Sequence, residues 1–270
     1  MLLDNKEEKK SMANSDWLQN EKETILIYGP PKCGKTWAYC SYIEEVISKG
    51  NKVYILNTDA GVSKTFKQYF GEKFPTMAEN VKYFFASDIP EARKAVIEIY
   101  KDVREHDLVI IDLLSDMWDM AQQQFILDTS GNDPVNFIVK ASKDKSKFGM
   151  FEGKMWQYIG TLHDFIISPF TARAKCNVIG VCGEKDIEVA GKISGQKNPE
   201  YESAGAKPAG HKRLAYVFNT IVYVNKSDSG EKHYFRIMGD RGATCSQEKV
   251  TFENKFWNKF VDTRKKHYGQ

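Results

Sequence analysis

The chain reads as an α/β protein: a mostly parallel central sheet with helices on both faces, extended at one edge by a C-terminal antiparallel hairpin. Three observations predict this. Short apolar runs (24–28, 53–57, 81–85, 108–112 and 177–182) alternate with segments of helical periodicity. A glycine-rich loop joins the first run to the first helix. Near the C-terminus, 220–225 and 232–238 read as two strands joined by the turn-forming stretch 226–231.

The elements follow in order. Thr24-Ile25-Leu26-Ile27-Tyr28 is a buried strand, and the helix after it carries Trp37, Cys40, Ile43 and Val46/Ile47 at helical spacing with Gly50 as its C-cap. Lys52 to Asn57 is a second strand, 63–69 a short helix, and 81–85 a third strand. Ile89 to Glu105 is a helix with Pro90 in its first turn. Leu108 to Asp112 is an apolar strand ending in a carboxylate, followed by a helix from about Ser115 to Leu127. Residues 128–154 break the rhythm as an insertion rich in Gly, Asp, Asn and Lys. Met155 to Thr171 returns to helix, and 177–182 is a further buried strand. A basic amphipathic helix closes the chain at 253–268.

Composition sets limits on function. A chain of 270 residues buries one large α/β core, so residues 23–270 are expected to form one domain behind a frayed, polar leader at 1–22. That leader is too polar for a signal peptide, and no apolar run is long enough for a membrane span. With 39 basic against 36 acidic residues, any nucleic-acid role depends on local patches. The five cysteines form no C-x-x-C pair and read as free thiols in a reducing cytoplasm, that of a host if the protein is viral. His163-Asp164 falls inside a helical pattern and reads as structural rather than as a metal site.

The octet Gly29-Pro30-Pro31-Lys32-Cys33-Gly34-Lys35-Thr36 is G-x-x-x-x-G-K-T between a strand and a helix. This is the phosphate-binding loop, in which backbone N–H groups and a helix N-terminus surround a triphosphate. Lys35 is expected on the β/γ-phosphates, the Thr36 hydroxyl on Mg²⁺, and Trp37 at the rim of the nucleotide site, with ATP and Mg²⁺ as cofactors. Asp112 is the second signal. It emerges at the carboxyl edge of the sheet, where it can hold Mg²⁺ through water. Two strands separate the loop from Asp112 in sequence, which suits proteins that insert a strand between these motifs in the sheet. The neighbours Leu113 and Leu114 cannot activate water. Asp59, at the end of the second strand, is the candidate base, on the expectation that this strand adjoins the phosphate-loop strand.

On these residues the chain resembles the RecA-like ATPases over about Glu23 to Gly242, with strong motifs at Gly29–Thr36 and Asp112. In look it is similar to compact phage-type single-strand-annealing recombinases. The resemblance implies a catalytic carboxylate at Asp59, where Glu is usual, and a γ-phosphate sensor near Glu184 and Lys185. It implies an arginine finger at Arg241 reaching a neighbouring subunit in a ring or filament. It also implies a single-stranded-DNA loop at 187–213, with Gly191, Gly195, Gly205 and Gly210 for flexibility and Lys192, Lys197, Lys207, Lys212 and Arg213 for phosphates. Tyr201 is the aromatic available there for stacking on a base. The expected activity is DNA-stimulated ATP hydrolysis in recombination, annealing or replication. Two other classes remain open on the residues: a nucleotide-dependent switch without DNA, and a phosphotransferase for a small substrate.

Overall fold

A computed structural model describes residues 22–59, 61–131, 136, 153–187, 199–227, 229–241, 245 and 247–268. Most of the 128–154 insertion, residues 188–198 and nearly all of the leader lie outside these.

Strand β1 (Thr24–Tyr28) leads through the phosphate loop into helix α1 (Lys35–Ser48). Then come β2 (Val53–Asn57), α2 (Val62–Phe70), α3 (Phe74–Glu79), β3 (Val81–Phe85), α4 (Ile89–Asp102), β4 (Leu108–Asp112) and α5 (Leu114–Ser130). After α6 (Gly153–Ser168) the order is β5 (Asn177–Cys182), β6 (Glu184–Asp186), β7 (Ala206–Pro208), α7 (Leu214–Val217), β8 (Thr220–Lys226), β9 (His233–Asp240), β10 (Val250–Phe252) and α8 (Phe256–Tyr268). The main sheet has the order β10-β9-β8-β1-β5-β4-β2-β3. Strands β8 to β3 in that order run parallel, while β9 pairs antiparallel with both β8 and β10. The expected α/β architecture is present, with β10 adding a third strand beyond the hairpin.

Side-chain alternation explains the layers. Leu26 and Tyr28 of β1, Tyr54 and Leu56 of β2, and Val109 and Ile111 of β4 enter one core with α4, α5 and α6. Their neighbours Ile25, Ile27, Val53, Ile55, Leu108 and Ile110 enter the other core with α1, α2 and α8. Because β1, β2 and β4 are buried on both faces, they read in sequence as unbroken apolar runs. The C-terminal helix belongs to the second core: Phe256 and Phe260 pack on Phe235, and Trp257 stacks on Tyr42 with ring centroids 3.6 Å apart. Helix α4 opens with a reciprocal cap. Asp88 accepts from the Glu91 N–H, and Glu91 accepts from the Ser87 N–H.

Two sequence expectations need correction. β2 does not adjoin β1; β5 and β4 lie between them. The reason is that β5, late in the chain, fills the place next to β1, which local sequence does not reveal. Second, the 187–213 segment is not all loop, since β6 and β7 pair antiparallel around it, and Pro199–Tyr201 is a 3₁₀ turn. Tyr201 is 7% exposed, packs edge-on against Tyr28 and is not available to stack on a base. No helix among the described residues is long and apolar enough to cross a membrane.

Candidate nucleotide-binding site

The loop after β1 folds as a nest of backbone N–H groups. Gly29 (φ 156°) and Gly34 (φ 98°) take conformations that side chains rarely adopt, and Lys32 also has positive φ (59°). Both glycines are also closely packed. A Cβ on Gly29 would meet the Val224 carbonyl oxygen at 2.0 Å, and one on Gly34 would meet the His233 ring at 2.6 Å. The loop is thus held from outside by the β8–β9 hairpin, and His233 Nδ1 lies 2.8 Å from the Cys33 carbonyl oxygen. Lys35 Nζ donates to the carbonyl oxygens of Gly29 (2.8 Å) and Pro30 (2.7 Å), so its ammonium is held within the loop it serves.

The loop opens on a cleft of about 830 Å³. Pro31, Lys32, Cys33, Gly34, Lys35, Thr36 and Trp37 line it on one side, and Asp59, Asp112, Ser115 and Asp116 face them. Gly183, Lys226 and His233 also line it. The structure therefore brings Lys35, Thr36, Asp59 and Asp112 together as expected, although β2 and β1 are not neighbours. The carboxyl edges of β2 and β4 converge: Thr58 N–H donates to the Asp112 carbonyl oxygen at 2.8 Å, and the Leu113 N–H donates to Thr58 Oγ1 at 3.1 Å. Thr58 Oγ1 in turn donates to Asp116 Oδ2 at 3.1 Å. The Asp112–Leu113 peptide is cis.

Asp112 is 3% exposed and accepts a hydrogen bond from Tyr39 Oη at 2.9 Å. Burial pushes its carboxyl up to about 6. Tyr39 and Lys35 pull it down, and Asp59 and Asp116 push it further up. Three carboxylates thus converge on one cleft with Lys35 opposite them. That donor set is all hard oxygen, the chemistry of Mg²⁺ rather than of a softer metal. Thr36 follows Lys35 in the cleft wall and adds a hydroxyl. The residues fit MgATP.

Sequence reading did not find Tyr39, Thr58, Asp116, Lys226 or His233. Asp116 was accessible to it, because it lies four residues after Asp112, in the first turn of the helix that follows β4. The hairpin residues carried no such signal, since only the fold brings them to the loop. Trp37 lines the cleft, and its Nε1 donates to the Glu253 carbonyl oxygen at 3.0 Å, which anchors it to the C-terminal segment.

The remaining expected residues lie elsewhere. Gly183, not Glu184 or Lys185, reaches the cleft. Burial raises the half-buried Glu184 carboxyl, and Lys185 turns away to donate to the Gly210 carbonyl oxygen at 3.1 Å. Arg241 does not line the phosphate cleft of its own chain. β9 runs from His233, beside the phosphate loop, to Asp240, opposite the first residue of β8, and so carries Arg241 to the other edge of the sheet. There it donates to the Tyr216 carbonyl oxygen. It lines a separate groove of about 570 Å³ with Lys185, Lys207 and Lys212.

A phosphate loop facing a buried strand-end carboxylate, with one strand between their two strands, defines a P-loop nucleotide-binding protein. The chain belongs to the AAA domain family, which matches residues 21–252. It is similar to the DNA repair and recombination protein RadB of Methanococcoides burtonii, 24% identical over 226 residues, covering 81% of this chain and 82% of that protein. RadB of Methanobrevibacter smithii is 32% identical over 98 residues, covering 34% of this chain and less than half (42%) of the relative. A crystal structure of the RadB recombinase aligns with a TM-score of 0.49 at 15% identity, covering 89% of this chain and 93% of that one.

Proposed function

We propose that this protein is an Mg²⁺-dependent, RecA-like ATPase that acts on single-stranded DNA in repair or recombination, with phage-type annealing recombinases as the finer kinship. The carrying observation is the cleft that gathers Lys35, Thr36, Asp59 and Asp112 across three strand ends. Lys35 would leave the Gly29 and Pro30 carbonyls for the phosphates, and Thr36 and Asp112 would hold the metal. Bound Mg²⁺ offsets charge on the β- and γ-phosphates. Asp59 is the base in this reading: its Oδ1 accepts from the Gly61 N–H at 2.9 Å, while the Thr58 hydroxyl bonds Asp116 instead. Asp59→Asn then lowers turnover by on the order of 10²–10⁴-fold while nucleotide affinity stays within a few-fold. Asp116→Asn, run beside it in steady-state assays, loses far less. An equal loss in both would remove Asp59 from the role.

The RadB relatives are named for DNA repair and recombination, which supports DNA as the partner. In this chain the groove lined by Lys185, Lys207 and Lys212 offers the phosphate-binding charge, with Tyr216 beside it at 75% exposure. Tyr216 takes the stacking role first assigned to Tyr201. Arg241 lies too far around the sheet to serve its own nucleotide, so in a ring or filament it serves a neighbour's.

The test is ATP hydrolysis with and without single-stranded DNA across a salt series. Stimulation by DNA is expected. The Lys207→Ala/Lys212→Ala pair should weaken DNA binding uniformly over sequence and flatten the dependence of log affinity on log salt by roughly 1.4 for single strands. Turnover indifferent to DNA would sink the DNA reading and favour a nucleotide-dependent switch.

A further inference from the structure

His163 and Asp164 are consecutive residues of α6, and His211 lies in the turn before α7. Each offers a ligand atom within 4.8 Å of those of the other two. His163 is fully buried, with Nε2 3.2 Å from the Leu114 carbonyl oxygen. A carbonyl only accepts, so Nε2 carries the proton and Nδ1 keeps a bare lone pair. That Nδ1 has no hydrogen-bond partner among the described residues. A buried acceptor in this state is unfavourable, and a metal ion would satisfy it. The bond from Nε2–H to a backbone carbonyl is the support that metal-binding histidines commonly have on their other nitrogen.

His211 is prepared in a similar way. Its ring stacks on Trp118 at 4.6 Å and 14°, which sets its plane, and Nδ1 lies 3.8 Å from Asp164 Oδ1. Burial depresses both rings, His163 to about 4, which favours the neutral imidazole. Arg213 holds the other Asp164 oxygen at 3.2 Å, and with a side chain 64% exposed it can turn into water when the carboxylate is taken. Lys185, Lys212 and Arg213 also act on His211 and oppose any cation here. The ion must therefore gain from imidazole bonding and not from charge alone, which excludes Mg²⁺ and Ca²⁺.

We propose that His163, Asp164 and His211 bind a divalent transition metal of the Zn²⁺ class, with water completing a four-coordinate site. Bonds of about 2.0–2.1 Å require Asp164 and His211 to close by roughly 1 Å. The ion would tie α6 to the end of the lysine-bearing 187–213 segment. Through the Leu114 carbonyl the site also touches the first turn of α5, beside Asp112. None of the three residues lines the phosphate cleft, so this site stands or falls independently of the ATPase reading.

The experiment is Co²⁺ titration of the full chain, followed by visible d–d absorption and by Trp emission, in excess Mg²⁺. One tetrahedral Co²⁺, displaced by Zn²⁺, is expected, with Trp118 emission changing as its stacked partner is captured. His211→Ala and Asp164→Asn, both at partly exposed positions, should each weaken binding at least tenfold at unchanged Tm. Asp112→Asn, which removes the buried carboxylate of the phosphate cleft, should bind Co²⁺ as the native chain does. Absence of Co²⁺ binding, equal binding in His211→Ala, or a near-ultraviolet thiolate band from one of the five cysteines would overturn the proposal. So would loss of binding in Asp112→Asn, which would assign the ion to the phosphate cleft.

Discussion

Replacing Lys35 with Ala is expected to abolish measurable ATP turnover, with kcat/KM falling by on the order of 10²–10³-fold or more. The ammonium is the cation held inside the phosphate loop, 2.7–2.8 Å from two of its carbonyl oxygens. Its position is therefore set before a nucleotide arrives, and little reorganisation is needed to transfer its hydrogen bonds to phosphate oxygens. Charge-assisted bonds of this kind are roughly twice as strong as neutral ones. They gain further as negative charge develops during phosphoryl transfer. Folding should survive, because the loop is held independently by the β8–β9 hairpin, with His233 against the Cys33 carbonyl. The readouts are steady-state hydrolysis and the increase in Tm on adding MgATP. Retention of both in Lys35→Ala would remove the phosphate loop from the site.

Asp112→Asn should have opposite effects on stability and function. The native carboxyl is pushed up to about 6 from an ordinary 3.8, chiefly by burial, and Asp59 and Asp116 add repulsion. Below pH 4 it is protonated in both folded and unfolded chains. Between about pH 4 and 6 the unfolded chain gives up the proton first, so stability falls as pH rises, and the full penalty applies above 6. A shift of this size corresponds to about 3 kcal/mol at pH 7–8. Asn keeps an acceptor for Tyr39 and removes the charge. The nucleotide-free variant should therefore melt higher at pH 8 by on the order of 5–10 °C, and the gap should close toward pH 4. Half-buried Asp102, whose carboxyl its Lys82 and Tyr54 partners hold down, titrates in the opposite direction, so the difference between the two proteins is the quantity to follow. Stabilisation by MgATP should vanish in the variant, because the ionised oxygen is what Mg²⁺ needs. An Asn variant no more stable than the native chain at pH 8 would show that the carboxylate carries no such strain.

Burial of a catalytic-type carboxylate at a structural cost is what the sequence-level signal could not express. Asp112 was legible because four apolar residues precede it, and the phosphate loop because its spacing is a local property of one strand, one turn and one helix. Asp59 was placed in the cleft for an incorrect reason, adjacency of β2 to β1. The actual reason is the Thr58 link between the ends of β2 and β4. Tyr201 was misread because composition alone does not show which side of the β6–β7 hairpin packs on Tyr28.

By itself, then, the sequence determined what depends on short range: the order of strands and helices, the phosphate loop at Gly29–Thr36, the strand-end Asp112 and the C-terminal hairpin. These follow from side-chain periodicity and from backbone conformations that few residues other than glycine accept. The tertiary structure alone decided which strand ends meet. It put β5 beside β1, His233 and Lys226 against the phosphate loop, Arg241 at the far edge, and His211 beside His163. Those pairings join residues distant in sequence, and they are selected by the burial of both faces of one sheet, a condition that no local window contains.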